Sequence, residues 1–93
     1  MSSIITRVEI ANAEKVLNRL GETVREDLET KNELVAKFEM HYNWDAARCF
    51  GDRLAGAICM LWTLGMITED EQDLLNRYFI VKVVDLKNEM EVA

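Results

Sequence analysis

The sequence predicts an all-α fold, a small helical bundle of three long or four shorter helices with a C-terminal antiparallel helical hairpin. Three observations carry that expectation. The 93 residues contain no proline and only four glycines, so helices have few places to break. Apolar residues recur at the helical period along most of the chain. Thr6–Glu9 and Thr68–Glu71 each have the spacing of a capping box, in which two side chains satisfy backbone N–H groups left free at a helix start. An apolar content of 49% excludes a disordered chain, and the length suits a single helical domain over residues 1–93.

Taken in order, Ile10, Ala13, Leu17, Leu20, Val24, Leu28, Val35, Phe38 and Tyr42 project onto one face at 100° per residue. Lys31 and Asn32 interrupt this stripe. Residues 6–42 are therefore either one long helix with a polar notch or two helices broken near Glu29–Asn32. Residues 45–64 form the central helix, started by Asn43 or Asp45. It is apolar over most of its circumference through Ala47, Phe50, Leu54, Ile58, Leu61 and Trp62, as a core helix is. Ala47, Gly51 and Ala55 lie four apart on one flank, small enough for another helix to approach closely. Gly65 fits a left-handed helix end with Met66 packing back onto Leu61. The next helix runs from Glu69 to about Glu89, its first turn crowded with Glu69, Asp70, Glu71 and Asp73, where the macrodipole favours acids. Leu75, Tyr78, Phe79, Val83, Leu86 and Met90 share one side. The β-formers of 78–84 and the alternation of 4–10 leave an α+β alternative with two short terminal strands.

Composition excludes several functions. Eleven basic against seventeen acidic side chains give a net charge of -6, which argues against direct nucleic-acid binding and against an anionic membrane. Arg7, Glu9 and Glu14 interrupt any secretory leader, and no stretch is long enough for a membrane span, so a cytoplasmic location is expected. Cys49 and Cys59 fall on one helix about 15 Å apart, too far to bridge, and read as buried, reduced residues. His41 is the only histidine. With no CxxC, no HExxH and no glycine-rich loop, neither a metal, a cofactor nor a catalytic residue is expected. The face that would line a helical chorismate mutase site offers Leu17, Leu20, Val24 and Leu28 with only Lys31, and so cannot hold a dicarboxylate.

What remains is a non-enzymatic protein-interaction or assembly module. A helix from Thr6 to Tyr42 would run about 55 Å, longer than a domain of this size is wide. Two copies packed antiparallel through Leu17, Leu20, Val24, Leu28, Val35 and Phe38 would cover each other's overhang, giving a homodimer. Glu22, Glu26, Glu29 and Glu33 form a stripe on the opposite face, a docking surface for a basic protein partner. The alternative is an acidic inhibitor of the kind phages and mobile elements carry, blocking a nucleic-acid-binding enzyme. A third reading takes the stripe as a divalent-metal carboxylate enzyme.

Overall fold

The computed structural model describes residues 5–92. These form four helices, α1 (Arg7–Leu20), α2 (Glu22–Met40), α3 (Trp44–Thr63) and α4 (Glu69–Val92). The all-α bundle is the one the periodicity predicts, in its four-helix form. Most boundaries have a local cause. Thr6 Oγ1 accepts from the Glu9 N–H while the Glu9 carboxylate accepts from the Thr6 N–H. Thr68 and Glu71 repeat the arrangement at the start of α4. Asn43 caps α3, its side-chain oxygen accepting from the Ala46 N–H at 3.2 Å. At the end of α3, Gly65 adopts φ 74°. There the Gly65 N–H donates to the Trp62 carbonyl and the Met66 N–H to that of Leu61, the bond pair of a Schellman ending. Met66 itself is exposed. α2 ends in the same way, through Tyr42 N–H to Glu39 and Asn43 N–H to Phe38. Its left-handed residue is a tyrosine, Tyr42 at φ 57°.

The N-terminal segment takes neither of its two expected forms. It is not one helix from Thr6 to Tyr42, and its break is not near Glu29–Asn32. The chain breaks at Gly21, whose φ of 98° and ψ of 160° lie where essentially only glycine goes. The polar notch stays helical because Lys31 turns aside to bond Asp27 one turn back, and because Asn32 is taken into the interior, 2% exposed. Divided at Gly21, α1 and α2 measure about 21 and 28 Å, against molecular extents of 36 × 28 × 23 Å. Neither overhangs the molecule, so this segment leaves no protruding apolar stripe for a second copy to cover. The strand alternative also fails: residues 7–10 lie in α1 and 78–84 in α4, while residue 4 lies outside the described residues.

The core is one cluster to which every helix contributes, including Ala13 and Leu17 of α1, Leu28 of α2, Leu54 and Ile58 of α3, and Leu75 and Phe79 of α4. α2 packs closely on α3 and also lies against α4, whereas α3 and α4 touch each other less. The central helix is less enclosed than its composition suggests. It buries only Ala47, Leu54, Ile58 and Leu61. Cys49 and Cys59 are consequently exposed free thiols, not buried ones, because they project from the sides that no other helix covers.

Polar side chains tie the helices together around this core. Arg25 of α2 reaches back past Gly21 to Glu14 and Asn18 of α1, and the Tyr78 hydroxyl of α4 donates to the other Glu14 oxygen. Arg19 grips Glu71 with two bonds and donates a third to the Met66 carbonyl. Arg77 pairs with Glu9 at 2.7 Å and Lys87 with Glu39 at 2.8 Å. The Arg19 guanidinium and the Thr68 N–H hold the Glu71 carboxyl at about 2, below its ordinary 4.5. The Tyr78 hydroxyl and Arg25 lower Glu14, and the Thr6 N–H and Arg77 lower Glu9. Burial and the bond to Glu14 push the Tyr78 phenol well above its ordinary 10.0.

Two outcomes follow from this fold. A carboxylate depressed by folding adds stability above its unfolded pKa and loses it as the pH falls through the folded value. The denaturant midpoint should therefore hold steady at neutral pH and fall between pH 4.5 and about 2, with a shallower fall in Glu71→Gln. The backbone outliers should give opposite signs in denaturant titrations. Gly21→Ala should destabilise by about 1–3 kcal/mol, whereas Tyr42→Gly should stabilise by about 1 kcal/mol through relief of the left-handed strain.

Candidate functional site

From Leu54 to Thr68 the chain carries no charged side chain, yet ten of those fifteen residues are exposed. They include Met60 (55% exposed), Trp62 (44%) and Leu64 (64%). Helical geometry explains how this arises. One face of α3 is spent on the core, and the remaining circumference, which in a solitary helix would carry Lys and Glu, is built here from Ala55, Gly56, Cys59, Met60, Trp62 and Thr63. Contiguous apolar surface of this kind marks an interaction site more often than scattered single residues do.

Beside this face lies an apolar groove of about 320 Å³ between α3 and α4, floored by α2. It exists because α2 props the two other helices apart, and because Gly51 and Ala55 leave the α3 wall low. A Cβ on Gly51 would meet only Val35, at 4.0 Å. Ile58 and Leu54 line the α3 side and Phe79, Ile80 and Val83 the α4 side. Ile80 and, one turn on, Val84 are exposed on α4, so apolar surface continues across the groove mouth. Two polar side chains, Asn32 and Asn76, interrupt the lining. The Asn32 Oδ1 is buried without a hydrogen-bond partner, a state that costs about 1–3 kcal/mol relative to a satisfied acceptor.

The residues singled out from sequence are placed differently. Leu17 and Leu28 are fully buried in the chain's own core, Val35 is buried, and Leu20 and Val24 pack against the core. Phe38 stacks on Phe50 of α3 with ring centroids 5.7 Å apart. All six expected interface residues are thus engaged within one chain. Glu22, Glu26 and Glu33 are exposed on α2, and Glu29 is drawn to Arg25 at 3.4 Å. His41 is exposed at the end of α2. Among the described residues no three His, Cys, Asp or Glu side chains are grouped so as to hold a metal ion, and no helix is long and apolar enough to cross a membrane. Asn32 was legible only as a notch in a stripe, and Trp62 only as one more apolar residue of a core helix.

No protein-family model, curated protein or solved structure matches the chain. The site therefore stands on its own geometry. If the unpaired acceptor is a genuine cost to the single chain, Asn32→Leu should raise the unfolding free energy by about 1–3 kcal/mol, measured at a dilution where no association occurs. Unchanged or lower stability would show that Asn32 is already satisfied.

Proposed function

We propose that the chain is a non-enzymatic assembly module that pairs with a second copy of itself through the uncharged side of α3. The observation that carries this reading is the exposed, charge-free run from Leu54 to Thr68. Net charge narrows the occupant. Two chains of -6 each repel over most of their surfaces, and this face is where they can meet without burying a charge. An anionic membrane is a poorer fit, because the run contains no Lys or Arg for a lipid headgroup. A domain of this length also buries a limited share of its surface by folding alone and gains from association. Self-association thus keeps its place in the reading but moves from the N-terminal stripe to α3.

The acidic stripe supports a further contact. Glu22, Glu26 and Glu33 are exposed and make no ion pair with a described basic side chain, which suits a basic protein partner on α2. Reversing Glu22 and Glu26 to Lys should remove binding to such a partner and leave self-association intact.

Gly56 provides the decisive variant. It is exposed within the uncharged run, and a side chain there would meet nothing within 4 Å in the single chain. Gly56→Lys should keep the fold and even favour the helix by about 0.5–1 kcal/mol, while placing a charge in the interface. Sedimentation equilibrium at micromolar concentration should give two chains for the natural protein and one for the variant. A single-chain mass for the natural protein, or an unchanged dimer in the folded variant, would sink the proposal.

A further inference from the structure

The groove between α3 and α4 has the dimensions and lining of a small-molecule site. Its volume of about 320 Å³ lies at the lower end of the range that ligand pockets occupy. An engineered apolar cavity of roughly half that size holds benzene, so there is room here for a body of roughly twelve non-hydrogen atoms. Ligand pockets combine an apolar lining with a few polar groups that fix orientation. Ile58, Phe79 and Val83 belong to the apolar walls, and the polar side chains are Asn32 and Asn76.

Asn32 says most about the occupant. It stands on the floor at 2% exposure, and its two polar atoms are not equivalent. Oδ1 is shut in the interior without a hydrogen-bond partner, out of reach of anything in the groove. Nδ2 has no bond within the chain either, yet it is not enclosed, and the space open to it is the groove that Asn32 lines. The floor therefore presents one N–H donor in an apolar setting, where a matched acceptor is favoured and an unmatched one is costly. Charge narrows the occupant further. No Asp, Glu, Lys or Arg lines the groove, so an ionised ligand would lose its hydration without meeting a counter-charge. We propose that this groove binds a neutral, largely apolar small molecule whose carbonyl oxygen accepts from Asn32 Nδ2. Ketones and esters are of this class. Such binding goes beyond the pairing through α3 and does not require it.

Acetophenone and α-methylstyrene are suitable probes, because they share size and shape and differ by a carbonyl oxygen replaced with a methylene. Titrated to millimolar concentration, both should shift the methyl resonances of Ile80 and Val83. Running the titration in the natural chain and in Gly56→Lys keeps a second copy from hiding the site. Asn32→Leu should lower the ratio of acetophenone to α-methylstyrene affinity by about tenfold, the equivalent of one hydrogen bond. Comparing that ratio between the two proteins cancels the ketone's own hydration. In Gly51→Leu the fold should persist, since a Cβ there meets only Val35 at 4.0 Å, and the added side chain should fill the groove and exclude both probes. Methyl resonances unmoved in both chains would overturn the site. An affinity ratio unchanged by Asn32→Leu would overturn the carbonyl as the recognised group, and undiminished binding to folded Gly51→Leu would place the probes elsewhere. Each of these results would leave pairing through α3 to its own test by sedimentation.

Discussion

The arrangement of this bundle depends on the reversal at Gly21. α1 and α2 carry apolar stripes that a straight helix could have continued, and a straight helix would leave the first half of α4 without its cover. One residue with a backbone conformation closed to other side chains turns α1 aside. Arg25 then fastens it by bonding Glu14 and Asn18 from the far side of the turn. Because the same Glu14 also accepts from Tyr78, the clamp on the turn extends to the docking of α1 on α4. Arg19, in the last turn of α1, bonds Glu71 at the start of α4, and Glu9, in the first turn, pairs with Arg77 further along α4. The hydrophobic contacts supply most of the stabilisation, and these few polar contacts select which helix sits where.

Local chemistry was readable in the sequence, and tertiary choice was not. Both capping boxes, the Asn43 cap and the Gly65 ending involve residues within a few positions of one another, so spacing alone reveals them. Gly21 escaped notice because periodicity does not register a turn between two helices whose stripes share a phase, and because no side chain caps the start of α2. Lys31 and Asn32 leave a notch and a break equally open in the sequence, since their polarity is visible there and their partners are not. One folds back on Asp27 and the other enters the core. The cysteines were misplaced for a related reason. An all-round apolar helix is read as fully enclosed, yet a four-helix chain has only enough neighbours to enclose one face of α3. The excess apolar surface that defines the candidate site is the same quantity that the sequence presented as core.

This inversion gives the site its meaning. In a chain with a net charge of -6, leaving fifteen consecutive residues uncharged across a turn and half of a surface helix runs against the need for solubility. The groove compounds the oddity by keeping an amide oxygen buried and unpaired where a leucine would pack. Both features disfavour the isolated chain.

α4 has a further property that follows from where its burial stops. Leu75, Tyr78 and Phe79 are its buried residues, and beyond Phe79 none of its described side chains is buried. The first half of the helix is held by α1 through Glu9, Glu14 and Arg19, whereas the second half is held chiefly by half-buried contacts and by Lys87 on Glu39. Amide protons around Leu75, Tyr78 and Phe79 should exchange only on extensive opening, while those of the last turns should be released by local fraying at lower free energy. One continuous helix therefore contains two regimes of protection, and the groove wall formed by Ile80 and Val83 lies on the boundary between them.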